Sequence, residues 1–310
     1  MTTKTKAKTP FTNTEAYPNR EAWLTARRKG IGGSDAPILL GQVPKKGPPD
    51  VWLAKVDGAE GDAPTERMKW GIRQEDGIRL GYSEDSGRAV FAPSTPYTII
   101  RRTEIPWLCY SPDGTQYDDN FEGPGVLQIK NVAVDQRSNW LDGPPANYLC
   151  QLQHEMMVGG STWGTLMVLF GGNEGAWWDV EANPTFQASM LEVERDFWRY
   201  VEEEKCPPVD WQLPSALATL KRLYPASDGQ TIELTGDYWC NRLNELTELD
   251  ELAKRYKDEA DAIRADFQQA MKEAEAATLE DGRRITWKTQ KRAAYEVQAG
   301  EFRVFRFPKK

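Results

Sequence analysis

Between Trp107 and Lys130 the chain reads WLCYSPDGTQYDDNFEGPGVLQIK, and three of its residues, Asp113, Gln128 and Lys130, could serve one bound cation. An acid, followed later by a second oxygen donor two residues before a lysine, suits metal-assisted hydrolysis of a phosphodiester. A hard divalent cation such as Mg²⁺ takes oxygen ligands in near-octahedral geometry and leaves several positions to water and substrate phosphate. It would polarise the phosphate and acidify a bound water, while the lysine steadies the hydroxide or the developing charge. The same letters also describe a surface hairpin with an Asp-Gly turn and an exposed lysine, and the pattern alone leaves both open.

Positioning these groups calls for a sheet. Trp107 to Tyr110, Thr115 to Tyr117 and Gly125 to Ile129 read as three strands of a β-meander, with Pro112-Asp113-Gly114 as a turn. Side chains alternate along a strand, so Gln128 and Lys130 share one face and Leu127 and Ile129 the other. Upstream, Arg20 to Lys29 reads as a helix ended by Gly30 to Gly33, and Ser34-Asp35 caps a short helix with Pro37 in its first turn. A Gly-rich loop feeding a helix leaves N–H groups free for a phosphate; an ordinary capped turn is the other reading. Thr65 to Ser83 reads as a long helix carrying Glu75, which is either a site carboxylate or a solvated partner of Arg79 at i+4. Gln136 to Leu141 and Asn147 to Val158 read as helices, and Tyr148 and Gln151, three apart, share a face. Thr165 to Phe170 and Ala176 to Val180 add strands, and Phe186 to Glu204 closes with a helix.

The 310 residues suffice for one large domain or two smaller ones. No apolar run is long enough for a membrane span, and the first ten residues lack the apolar core of a secretory signal. Four cysteines, far apart and without a CxxC pair, disfavour zinc ribbons and iron–sulfur clusters and fit free thiols in a reducing cytoplasm. His154 is the one histidine, which leaves almost no support for a histidine base or metal site and points to a core or helix-surface role. Most of the twelve tryptophans, including Trp163, Trp177, Trp178 and Trp198, fall in apolar strands or helices and read as core.

Net charge is −8 but uneven: residues 1–55 hold ten Lys/Arg against four Asp/Glu, so they carry +6 and the rest −14. A basic entry to an acidic body fits a localised nucleic-acid contact better than a non-specific coat. Residues 1–17 read as a disordered basic tail and 18–208 as the core. The break at Cys206-Pro207-Pro208 opens a C-terminal region, 209–310. There a helix over 239–274 places Leu246, Leu249, Ala253, Tyr256, Ala260, Ile263, Phe267, Ala270 and Ala274 on a heptad seam that needs a partner. Short β segments follow at Arg284 to Lys288 and Glu301 to Phe307.

The Trp107–Lys130 segment resembles the PD-(D/E)xK nuclease signature in its lambda exonuclease and YqaJ-like viral recombinase form, with Pro112-Asp113 and then Gln128-Ile129-Lys130. Three more blocks match in order: Trp23-x3-Arg27 with GIGGSDAPILLG (Gly30 to Gly41), WGIRQEDGIRLGYSEDSG (Trp70 to Gly87), and Tyr148-x2-Gln151-Leu-Gln153. Together they cover roughly two thirds of the chain, and four ordered blocks are far more specific than one. The resemblance implies an α/β fold, a mixed central sheet flanked by helices with a helical C-terminal extension. It also implies an Mg²⁺-dependent exonuclease, Mn²⁺ substituting, that resects the 5′ strand of linear duplex DNA and leaves a 3′ overhang for a phage-type single-strand annealing protein. Asp113, Gln128 and the Ile129 carbonyl become metal ligands, Glu75 approaches the metal, and Lys130 orients the attacking water. Arg27, Ser34 and Gln151 hold the 5′-phosphate, and Tyr148 faces the substrate. Ring-shaped homotrimers and a bacterial cytoplasm, with a phage or prophage origin, are carried over in the same way.

One position departs from the family: Gln128 stands where a glutamate is expected. Its amide oxygen can ligate a metal but brings no charge, and its NH₂ is a donor. Metal affinity and turnover should fall. A tolerated natural variant and a deliberate isosteric change both account for it. Two other functions stay open, a DNA-end-binding protein without cleavage and an oligomerisation or scaffold protein built on the heptad helix.

Overall fold

A computed structural model describes residues 11–56, 65–291 and 305–306. The chain divides into two compact units, Met1–Arg222 and Leu223–Lys310. The first unit is mixed α/β. In chain order it holds β1 (Thr12–Ala16), α1 (Arg20–Arg27), α2 (Ala36–Leu39), α3 (Pro48–Val56) and α4 (Glu66–Ser86). Then come β2 (Ala89–Phe91), β3 (Thr98–Arg102), β4 (Cys109–Tyr110), β5 (Gly114–Tyr117) and β6 (Gly125–Val132). A 3₁₀ turn over Val134–Trp140, where a helix is predicted, leads to α5 (Ala146–Gly159), β7 (Trp163–Phe170), β8 (Glu174–Glu181), α6 (Pro184–Glu202) and α7 (Ala216–Leu223).

The main sheet has five strands in the order β2-β5-β6-β7-β8. All neighbours are antiparallel except β6 and β7, which run parallel, with Gln128 opposite Leu166 and Lys130 opposite Val168. A parallel pair needs a crossover, and α5 supplies it. The central strands are buried on both faces, so β7 reads as an apolar run with little alternation. Leu127 and Ile129 pack with Ile78, Tyr82 and Met167 under α4, while Val126, Leu152, Met156 and Leu166 fill the other side under α5.

The expected meander is split between two sheets. β4 pairs with β3, which also pairs with β1, whereas β5 pairs with β2 and β6. Ser111, Pro112 and Asp113 make the crossing. Pro112 has no N–H for a ladder, Ser111 Oγ accepts from the Trp23 indole at 3.0 Å, and the Asp113 carbonyl accepts from Arg79 Nε at 2.8 Å. The basic tail is likewise shorter than read, because Thr12–Ala16 is β1, in register with Thr98–Arg102.

Two further expectations change, and one is narrowed. Trp177 is 37% exposed, since β8 is an edge strand whose residues alternate and Trp177 lies on the outer face, meeting Tyr82 edge-on. Trp163 is buried, Trp178 packs against the core and Trp198 stacks on Trp107. Asp35 precedes α2 without capping it, because its carboxylate turns back to Gly32 N at 2.9 Å and Lys55 Nζ at 2.5 Å. His154 is a core residue, its ring held between Glu194 Oε1 at 2.8 Å and the Cys109 carbonyl at 3.0 Å. Burial pushes its pKa down, but the Glu194 carboxylate outweighs this and raises it to about 9. All four cysteines are free.

After the Pro-rich stretch, Ser215 and Thr219 hydroxyls each donate to the Asp50 carboxylate at 2.9 Å, which keeps α7 on α3. The second unit is built from α8 (Asp237–Met271) and a hairpin of β9 (Ala276–Thr278) with β10 (Arg284–Thr286). Leu249, Tyr256, Ile263 and Phe267 of the heptad seam are exposed, and Ala274 lies beyond the helix, after Lys272 at φ +48°. The β segment read at Glu301 to Phe307 falls outside the described residues apart from 305–306. Among the described residues no helix is long and apolar enough to cross a membrane.

Candidate active site

Asp113, Gln128, Lys130 and Gln151 form one hydrogen-bonded chain. Asp113 Oδ2 accepts from the Ile129 N–H at 2.8 Å and from the Gln128 amide nitrogen. Gln128 Oε1 accepts from Gln151 Nε2 at 2.9 Å, and Gln151 Oε1 accepts from Lys130 Nζ at 3.0 Å. β6 supplies two of these groups because Gln128 and Lys130 are two apart, and the crossover helix α5 lays Gln151 over them. The direction of the chain is determined at its cationic end: an ammonium can only donate, so Gln151 must present its oxygen to Lys130 and its NH₂ to Gln128.

A cleft of about 490 Å³ opens over this chain and is lined by Arg27, Ser34, Glu75, Asp113, Gln128, Lys130 and Gln151 among others. Every site residue foreseen in the sequence borders it except Tyr148, whose ring lies 5.5 Å from Lys130 Nζ just beyond. Arg27 Nη2 donates to Ser34 Oγ at 3.0 Å and its guanidinium covers the Trp23 ring at 4.7 Å. The Gly30–Gly33 loop is fixed beside β4 by Ile31, which exchanges backbone bonds with Trp107 O at 2.7 Å and Cys109 N at 3.0 Å.

Glu75 lies where both readings of it require, in contact with Arg79 at 2.7 Å, one turn on, and at the edge of the cleft. Arg79 in turn holds the Asp113 carbonyl, so α4 is braced against the turn that carries the acid.

Two groups were not foreseen. Glu155, buried one turn beyond Gln151 on α5, accepts from Gln151 Nε2 at 2.9 Å, and its Oε2 has no partner among the described residues. A Cβ on Gly33 would come within 2.4 Å of its Oε1, so the loop approaches this carboxyl as only glycine allows. The i+4 spacing from Gln151 was the available signal. Asn131, next to Lys130, donates to Gln74 Oε1 and ties β6 to α4.

The electrostatics show a deficit of positive charge. Burial, and then the Asp113 carboxylate, raise the Glu75 pKa to about 7 and that of Glu155 to about 8. Burial raises Asp113 too, against the pull of Lys130. Carboxyls that retain protons in this way are suited to a cation, which would displace those protons.

The donor set fits one hard cation, with a reservation at Gln128. Asp113 offers a carboxylate, Ile129 a main-chain carbonyl and Gln128 an amide oxygen, few enough protein ligands for a site completed by water and phosphate. The amide as it lies turns its NH₂, not its oxygen, to Asp113. Among the described residues no group of three or more His, Cys, Asp or Glu forms a metal cluster.

Comparison with known proteins bears on this geometry. A model of the YqaJ-like viral recombinase domain matches residues 22–162, which contain every residue of the site. Residues 22–162 are therefore similar to the YqaJ-like viral recombinase domain. The chain is also similar to an uncharacterized protein YqaJ of Bacillus subtilis (strain 168), 26% identical over 262 residues, covering 83% of this chain and 80% of that one. Two solved structures are similar at 17% identity and a TM-score of 0.47. One is an alkaline exonuclease, LHK-Exo, from Laribacter hongkongensis (60% of this chain, 94% of that one), and the other is LHK-Exo in complex with dAMP (66% and 97%).

Proposed function

We propose that the YqaJ-like domain is a divalent-metal-dependent exonuclease that resects linear duplex DNA from a 5′-phosphorylated end, and that Gln128 weakens its hold on the metal. The observation that carries this reading is the convergence of Asp113, Gln128, Lys130 and Glu75 with the Arg27–Ser34 pair in one cleft. Asp113, the Ile129 carbonyl and Gln128 would hold Mg²⁺ or Mn²⁺, with Glu75 close by. The cation would supply Lewis-acid activation of the scissile phosphodiester.

The remaining work falls to side chains. Arg27 and Ser34 bind the terminal phosphate, Arg27 through a planar fork suited to phosphate oxygens. Gln151 joins them and steadies Lys130, whose ammonium orients the attacking water. Tyr148, whose ring lies 5.5 Å from the Lys130 ammonium, contacts the substrate beside it. Holding the terminal phosphate while the next linkage is cut gives the reaction its 5′-to-3′ direction and leaves a 3′ overhang. Such a product calls for a single-strand annealing protein as partner, in the cytoplasm of a bacterial host of phage or prophage. A ring-shaped homotrimer, with α8 assisting or replacing its contacts, would keep the enzyme on one duplex.

One observation favours a second reading. The Gln128 NH₂ faces Asp113, a donor where a ligand is needed, and this suits a protein that grips 5′-phosphorylated ends without turnover. Digestion of a linear duplex with one 5′-phosphorylated end, in Mg²⁺ or Mn²⁺, separates the two. Cleavage by both the native chain and Gln128→Glu supports an active exonuclease, and cleavage by Gln128→Glu alone supports a silenced one. Absence of both cleavage and end binding would refute each and leave an α8-based scaffold.

A further inference from the structure

Beyond Lys130 a second pocket, of about 670 Å³, adjoins the cleft and shares Asn131 with it. Four of its nine lining residues are amides, Asn131, Gln136 and Asn147 among them, beside the Trp140 ring, and Arg67 of α4 adds a guanidinium. The Arg67 and Asn147 side chains make no hydrogen bond to another described residue. Asn131 spends its NH₂ on Gln74 and leaves its oxygen free of a described partner. Tyr148 borders the pocket with its ring stacked on Trp140 at 5.1 Å.

Two elements fix where this pocket lies relative to the chemistry. Along β6 the order is Gln128, Lys130, Asn131, Val132, so the pocket continues the strand past the lysine. Along α5 the order runs from Glu155, against Gly33, through Gln151 to Tyr148 and Asn147. At about 1.5 Å per residue, Glu155 and Tyr148 are about 10 Å apart on the helix. The Gly33–Ser34 loop therefore lies at one end of the site and the amide pocket at the other, with Lys130 between. A strand anchored by its terminal phosphate at the first end must leave by the second.

We propose that this pocket, with the Arg67 guanidinium and the Asn131, Gln136 and Asn147 amides, is the subsite for the nucleotide that follows the scissile linkage, Arg67 taking that nucleotide's 3′ phosphodiester. The inference rests on the exonuclease reading above. A guanidinium offers paired donors to a phosphodiester, and amides carry both donors and acceptors for sugar and base edges without selecting one base. That chemistry suits an enzyme that must pass every sequence.

The test is fluorescence anisotropy of the full chain in EDTA with a labelled duplex bearing one 5′-phosphate. The duplex is compared with one in which the second internal linkage of the 5′ strand is a neutral methylphosphonate. The native protein should bind the neutral-linkage duplex about tenfold more weakly, as expected for a lost charge-assisted contact. Arg67→Ala should bind both duplexes equally, at the weaker level, and Arg67→Lys should recover part of the difference. Arg67 is exposed, so folding is not at stake. If the methylphosphonate costs the same in native protein and Arg67→Ala, or costs nothing in either, the subsite assignment is overturned while 5′-phosphate-dependent binding leaves the exonuclease reading intact. Binding that ignores the 5′-phosphate, or no binding at all, overturns both.

Discussion

Gln151 Nε2 donates to Gln128 Oε1 at 2.9 Å, and that bond determines which end of the Gln128 amide meets Asp113. Lys130 fixes Gln151 and Gln151 fixes Gln128, so the amide cannot turn its oxygen to a cation without breaking a bond behind it.

Gln128→Glu should reverse the metal preference. Without metal the new carboxylate adjoins Asp113, and the variant should be less stable than the native chain by about 1–3 kcal/mol. Mg²⁺ or Mn²⁺ should restore it, with affinity at least about tenfold above native through the added ligand charge. Thermal melts with and without Mn²⁺ read both effects, and equal metal-induced shifts in the two proteins would sink the idea.

Gly33→Ala should destabilise the YqaJ-like domain by about 1–3 kcal/mol, because its methyl would collide with Glu155 Oε1 and Cγ. Glu155→Ala in the same chain should recover much of the loss. Urea midpoints of both single variants and the double variant decide this; strict additivity would show that Glu155 is not the obstacle.

His154→Phe should cost about 3–5 kcal/mol, since it leaves the buried Glu194 carboxylate without its counter-charge. Adding Glu194→Leu should return most of it. A double variant as unstable as the single would mean that the ring's bond to the Cys109 carbonyl carries the effect.

The stability of the domain should fall as pH rises from weakly acidic to alkaline. Glu155 keeps its proton in the folded chain to about pH 8, whereas an unfolded glutamate loses it near 4.5. The folded state thus binds more protons across that window, and the stabilisation, complete below pH 4.5, is gone above about 8. His154 adds a loss of the same sign between 6.5 and about 9. Glu155→Gln should flatten the first part by up to about 1.4 kcal/mol per pH unit and narrow the second, because the Glu155 charge helps to raise His154. Urea titrations at pH 5, 6.5 and 8 measure the slopes, and parallel curves would refute the assignment.

Local physics made much of this legible in the sequence. Strand alternation puts Gln128 and Lys130 on one face of β6, and helix periodicity puts Tyr148 and Gln151 together on α5. Long-range pairing was not legible. Two residues of β4 carry no periodicity that says β3 rather than β5 will pair with them, so a crossing between sheets reads as a meander. Glu155 looks like any solvated helix glutamate until Gly33 is seen against it. Trp177 has the composition of core and the position of an edge. The polarity of the Gln128 amide follows from Lys130 through a residue on another element, and no local pattern encodes it.

The parallel pairing of β6 with β7 has a kinetic consequence. A chain that has emerged only as far as Lys130 already contains Arg27, Ser34, Glu75, Asp113 and Gln128, yet the strand beside Gln128 and the helix above it are still to come. Non-local parallel pairing of this kind is slow to form, because the loop entropy of the crossover must be met before the contacts reward it. A nascent or truncated chain ending before Trp163 therefore holds these residues without β7, the strand against which β6 seats Gln128 opposite Leu166 and Lys130 opposite Val168.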